Sequence, residues 1–220
     1  MLLLEIIQVD QTEKNIDVHD ENAYKKQYRT DLTTRRGRDI GAFAKYDRIR
    51  NEPKMGVKQS LRPLPEQDDA YYTYIKTISQ NDTMSSNPYF PRVYGINTTK
   101  DNHGKIIYKI NMEHLKNLKD IPKDDLISLL SRMFDGTILN KYHIISSNND
   151  NRIFYDRIGQ IIRDVAYGKV QTIDDNLRNA LKLIQKIRNE HNYANDINKN
   201  NIMIRRTNLG YQLVITDPLS

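Results

Sequence analysis

A chain of 220 residues has room for one domain, or one domain in two lobes, and its lack of cysteine excludes thiol catalysis, zinc–thiolate sites and disulfide staples while fitting a reducing cytoplasm. The formal charge of +6 would suit nucleic acid, but 34 basic residues are spread among 28 acidic ones, so the balance does not point to a nucleic-acid partner. The opening Met1-Leu2-Leu3-Leu4-Glu5-Ile6-Ile7 is apolar yet broken by Glu5 and too short for a signal peptide or a membrane span; it reads as a buried strand, with no membrane partner.

Residues 1–36 read as an N-terminal extension, with a helical period only at Asn22 to Tyr28. Arg35, Arg36, Arg38, Lys45, Arg48 and Arg50 form a basic cluster that reads as a solvated face, or as a surface for a polyanion such as a nucleotide phosphate tail. Asp39 to Gln59 holds a glycine turn and two strand-like segments. Over Pro65 to Gln80 the apolar positions Ala70, Tyr71, Tyr74, Ile75 and Ile78 recur at helical spacing, so the tyrosines read as core and helix surface. Asn87-Pro88-Tyr89-Phe90-Pro91 breaks that helix. Strands are expected around Val93 to Ile96 and over Lys105 to Asn111, joined by the turn Asp101-Asn102-His103-Gly104. Three helical periods follow, centred on Leu126 to Phe134, Phe154 to Val165 and Leu177 to Ile187, with Asp124 and Asp174 placed as N-caps or first-turn acids. Strands, then helices, then a final hairpin is an α+β order.

The segment that carries chemistry runs from His191 to Ile204 and on through Leu213-Val214-Ile215-Thr216-Asp217-Pro218. Asn208-Leu209-Gly210 reads as a hairpin turn. Asn201 and Asp217 lie eight residues on either side of Leu209, so regular antiparallel pairing would set them opposite each other. An amide oxygen and a carboxylate at one end of a hairpin suit a hard cation such as Mg²⁺, which takes few protein ligands beside water and phosphate oxygens. Asp196, five residues before Asn201, is placed to act as a base or positioning group. His191 has no second histidine at ligand spacing and reads as a helix-end cation.

The order Asp-x-x-x-x-Asn, hairpin, Asp resembles a protein-kinase catalytic loop and its metal-binding aspartate. Asp196-Ile-Asn-Lys-Asn-Asn201-Ile-Met followed by Val-Ile-Thr-Asp217-Pro looks like the short, divergent serine/threonine kinases and kinase-like proteins of bacteriophages, over roughly residues 37–220. The resemblance implies a two-lobed fold: a sheet lobe with one helix and a hinge over 37–116, and a truncated helical lobe over 117–220 ending in a β-hairpin. It implies ATP and Mg²⁺ as ligands, with Asp196 orienting or deprotonating an acceptor hydroxyl and Asn201 and Asp217 holding the metal. Gly41-Ala42-Phe43-Ala44 resembles half of a glycine-rich phosphate loop, and Val57-Lys58 the strand lysine that grips the α and β phosphates. Glu66 is the expected acid partner of Lys58, with Asp69 in reserve. Met112-Glu113-His114-Leu115 resembles a hinge whose backbone at Glu113 and Leu115 would bond an adenine edge.

The pattern also departs from the family. Ala194 and Asn195 stand where histidine and arginine are usual, Pro218 and Leu219 where phenylalanine and glycine are, and the sequence stops at Ser220, so no activation segment or peptide platform is expected. The functional expectation is a phosphotransferase from Mg-ATP to a hydroxyl acceptor on a protein. The alternatives are a catalytically inactive pseudokinase that binds nucleotide or a host protein, a small-molecule phosphotransferase, and a basic nucleic-acid module.

Overall fold

A computed structural model describes residues 39–40, 44–49, 52–60, 63–145 and 151–220. The N-terminal extension, Gly41, Ala42 and Phe43 of the expected phosphate loop, and Arg35, Arg36, Arg38 and Arg50 of the basic cluster lie outside them. The chain is a mixed α+β protein with antiparallel sheets, in two compact units: the described residues up to Lys76 with Arg92–His114, and Thr77–Pro91 with Leu115–Ser220. Residues 77–91 therefore belong with the second unit. No helix among the described residues is long and apolar enough to cross a membrane.

The first unit is built on one antiparallel sheet. Its strands are β1 (Asp39–Ile40), β2 (Ala44–Ile49), β3 (Glu52–Ser60), β4 (Leu64–Pro65), β5 (Val93–Lys100) and β6 (Lys105–Glu113). β6 is central, pairing with β3 and β4 along one edge and β5 along the other. It has the composition for that place, because Ile106, Ile107, Tyr108, Ile110 and Met112 are all buried. The β5–β6 turn forms as its residues dictate: Asp101 Oδ1 accepts from the amides of His103 and Lys105 at 2.9 Å each, and Gly104 takes φ +74°.

Helix α1 spans Ala70–Ser79, shorter than the 65–80 period predicts. Leu64–Pro65 is drawn into the sheet and Glu66–Asp68 forms a 3₁₀ turn. Asp69 Oδ1 then accepts from the Tyr72 amide at 2.8 Å, which satisfies an orphan donor of the first turn and starts the helix there. Tyr72 stacks on Tyr108 at 5.3 Å, and the Tyr71 hydroxyl donates to Met112 Sδ at 3.4 Å. Tyr71 and Tyr74 are thus core, as their spacing indicates, and Tyr72, which stands outside that period and reads as helix surface, is buried too. A short helix α2 (Asp82–Ser85), which has no apolar period, was not expected from the sequence.

The second unit combines β7 (Lys116–Asn117), β8 (Ile202–Thr207) and β9 (Gly210–Ile215) with helices α3 (Lys123–Ser131), α4 (Gly136–Lys141), α5 (Asn151–Ala166) and α6 (Asp175–His191). Two of the three expected helices keep their apolar stripes: Phe154, Ile158, Ile161 and Ile162 of α5 and Leu177, Ala180, Leu181, Ile184 and Ile187 of α6 are buried. The third ends early at Ser131, with Met133 and Phe134 buried in the turn beyond it. Asp124 is a first-turn acid of α3. Six-residue α4 is too short to show a period in the sequence; Asp135 caps it through the Ile138 amide.

Segment 87–91 is tied into this unit by polar contacts. The Ile215 amide donates to the Tyr89 carbonyl at 2.8 Å, and buried Arg205 donates to the carbonyls of Pro88 and Phe90 at 2.9 and 2.8 Å. Asp174 serves two partners, accepting at Oδ1 from the Leu177 amide as N-cap of α6 and at Oδ2 from the Tyr89 hydroxyl at 2.6 Å. Burial first, and then this carboxylate, push the Tyr89 hydroxyl pKa up. Asp174→Ala removes the cap and takes from the Tyr89 hydroxyl its carboxylate acceptor, leaving Gln212 as its neighbour, terms of about 1 kcal/mol each. Urea unfolding should show a loss of about 2 kcal/mol, and a change inside experimental error would refute the dual role.

Candidate functional site

The loop that follows α6 begins with a defined stop. Asn192 takes φ +57° at the C-cap and the Tyr193 amide donates to the Arg188 carbonyl at 3.0 Å. His191 lies in the last turn of α6, stacked on Tyr193 at 5.3 Å, consistent with a helix-end role.

The chain then pairs with the residues that follow β9. Ala194 and Ser220 exchange amide-to-carbonyl bonds of 2.7 and 3.1 Å, Asn195 bridges Leu219, and the Asp196 amide donates to the Pro218 carbonyl at 2.7 Å. Ile197 is buried and pins the loop, while Asn198 and Asn200 make an Asx turn through the Asn200 amide on Asn198 Oδ1 at 2.8 Å. The turn folds both flanking asparagines back on Asp196. Asn198 Nδ2 donates to its Oδ1 at 2.8 Å and main-chain oxygen at 3.0 Å; Asn201 Nδ2 donates to its Oδ2 at 2.9 Å and main-chain oxygen at 2.8 Å.

The hairpin register differs from the sequence expectation by one residue. β8 and β9 pair Thr207 with Gly210 and Ile202 with Ile215, so the loop is the two-residue Asn208-Leu209, and Gly210, at φ +111°, already belongs to β9. Thr216 consequently stands across from Asn201, its amide and Oγ1 bonding the Asn201 carbonyl at 2.9 and 3.1 Å. Asp217 is nevertheless brought beside both other residues. Thr216 before it is bonded to Asn201, and Pro218 after it is bonded to Asp196. The three side chains of the expected constellation are all half-buried.

The donor set suits a hard cation. Asn201 turns its amide nitrogen toward Asp196, which leaves Oδ1 as its acceptor, and Asp217 lies in the chain between Thr216, bonded to Asn201, and Pro218, bonded to Asp196. No group of three or more His, Cys, Asp or Glu able to hold a metal occurs among the described residues.

Helix α5 supports the loop from behind. A Cβ at Gly159 would lie 2.8 Å from the Lys199 amide nitrogen and 3.1 Å from the Asn198 carbonyl carbon, so backbone packs directly on backbone there. Lys199 Nζ meets Asp156 of the same helix at 2.8 Å. Sequence reasoning missed Asn198, Thr216, Lys199 and Gly159. The isolated glycine inside an amphipathic helix was the one signal available, since such a glycine lowers helix stability unless something approaches it closely.

In the first unit, Lys58 sits in β3 opposite Ile110 of β6, with Nζ 3.3 Å from the centroid of the Tyr71 ring. Glu66 forms an ion pair with Lys76 and lies 3.8 Å from Lys100; the hydrogen bond from Lys76, above all, holds its carboxyl below the usual range. Asp69 is buried at the start of α1. Met112 and Glu113, expected after a strand ending near 111, lie within β6. Glu113 is fastened to Arg92 twice, its amide to the Arg92 carbonyl at 3.0 Å and its Oε1 to the Arg92 amide at 2.8 Å. That amide is thereby committed to the fold. Leu115 is buried and opens the part of the second unit that follows the sheet. No protein-family model matches this sequence, and no curated protein matches it.

Proposed function

We propose that the chain is a kinase-like phosphotransferase that binds Mg-ATP and passes the terminal phosphoryl group to a hydroxyl on a protein. The observation that supports this most is the junction between the loop and the hairpin, where Asp196 is held by two asparagine amides and Asp217 is bracketed by residues bonded to Asn201 and Asp196. In this reading Asp196 orients the acceptor hydroxyl and takes its proton as the oxygen attacks phosphorus and the bond to the ADP oxygen breaks. Bound magnesium would supply charge neutralisation at the phosphates, held by Asn201 Oδ1 and Asp217. Lys58, and the backbone near Gly41, Ala42 and Phe43, are assigned the nucleotide by resemblance, as are Glu113 and Leu115 at the adenine.

A second reading, a pseudokinase that binds nucleotide or a host protein without turnover, is favoured by one contact. The carboxylate of Glu66, the expected partner of Lys58, is engaged by Lys76 and Lys100. Calorimetric titration with a non-hydrolysable ATP analogue, with and without Mg²⁺, tests the proposal. Binding should require the metal, and Asp217→Ala should weaken it at least about tenfold, as loss of a charged metal ligand implies. Wild-type protein that binds no nucleotide, or a variant that binds Mg-ATP unchanged, would remove the site assignment. Binding of the analogue together with no ADP release from Mg-ATP itself would select the second reading.

A further inference from the structure

The second unit carries two hollows away from the Asp196 loop. The larger, about 730 Å³ beside α6, is bordered by Arg178, Lys182, Lys186 and Glu190. Its lining carries three cations and one acid; Arg178 is held by Asp175 and the Thr172 carbonyl, and Lys186 lies 3.8 Å from Glu190. The smaller, about 370 Å³, lies among the end of α4, the solvent face of α5 and the turn after α5.

Lys141, Arg157 and Lys169 border this hollow with His143, and Asp164 is the one acid in its lining. Asp164 is already engaged, because Oδ2 accepts from the Tyr142 hydroxyl at 2.7 Å and Oδ1 lies 3.5 Å from Lys169 Nζ. Arg157 gives one guanidinium nitrogen to the His143 carbonyl at 3.0 Å, which fixes the side chain and leaves the other donors of its fork for a ligand. His143 itself sits at φ +52°, a position after a helix where glycine or asparagine is usual. Three cations against one carboxylate leave an excess of two positive charges from lysine and arginine, which matches a phosphate monoester near neutral pH. A hollow of this volume accommodates a phosphate and a small group attached to it.

We propose that this hollow binds a phosphate group, free or as the ester of a small molecule, through Lys141, Arg157 and Lys169. The site is separate from the loop at Asp196 and its existence does not depend on phosphotransfer there. It is tested by following backbone amides of the full chain by NMR at fixed salt during titration with inorganic phosphate and with phenyl phosphate. Saturable shifts should centre on His143, Arg157 and Lys169, and Lys141→Gln and Lys169→Gln should each weaken binding about tenfold, as expected for losing a charge-assisted contact. Lys182→Gln, which removes the same charge at the other hollow, should leave binding unchanged. Tighter binding of phenyl phosphate would identify an ester ligand, and equal affinity the free ion; both support the site. Shifts that do not saturate, an equal loss in Lys182→Gln, or shifts confined to 195–201 would overturn it.

Discussion

Asp196→Ala is expected to lower ADP release from Mg-ATP, with water or a hydroxyl compound as acceptor, by about a thousandfold, the scale of a lost general base. Affinity for the non-hydrolysable analogue should stay within about threefold, because the metal ligands are untouched. The structure makes this variant informative. Asn198 and Asn201 each bond the main-chain oxygen of residue 196 as well as its carboxylate, and an alanine keeps that oxygen. The Asp196 amide likewise keeps its bond to Pro218. The loop should therefore hold its shape while losing its base, so a fall in rate would report chemistry. Turnover within a few-fold of wild type would exclude Asp196 from the reaction and, with it, the kinase-like mechanism.

Gly159→Val is expected to destabilise the protein by about 3 kcal/mol and to disturb the loop. Two effects compete. Replacing glycine by alanine inside a helix ordinarily gains up to about 1 kcal/mol, and valine retains only part of that gain. Against it stands a Cβ 2.8 Å from the Lys199 nitrogen and 3.1 and 3.3 Å from Asn198 backbone atoms, contacts no rotamer change can relieve. Valine adds two methyl groups to the same crowded place, so overpacking wins. Gly136→Ala, in the first turn of α4 with nothing within 4 Å of the new Cβ, is the control and should be neutral or slightly stabilising. If Gly159→Val unfolded at the wild-type urea midpoint with the same slope, the close packing of α5 on the loop would be wrong.

The contrast between these residues shows where the sequence was legible. Asp196, Asn201 and Asp217 are singled out by a fixed spacing around a turn, a pattern that can be read before any fold is known. Their mutual placement was less legible. The spacing centres the turn on Leu209, whereas the strands close over two residues; a shift of one residue exchanges the facing partner, and Thr216 takes the position expected for Asp217. Asp217 reaches the other two by a different route, the short pairing of 194–196 with 218–220, which no local pattern signals.

By itself the sequence determined the order of the longer strands and helices, the buried stripes of α5 and α6, the burial of Tyr71 and Tyr74 and an acid at the start of α6, since each depends on neighbours within a turn or two of chain. Tertiary structure alone decided that α1 starts at Asp69, that 77–91 joins the second unit, that Glu66 is held by Lys76 and Lys100, and that a glycine of α5 receives the loop. Those outcomes rest on pairings between residues far apart in sequence. Backbone groups and charges settle with whichever partners the packed chain brings near, and periodicity carries no record of them.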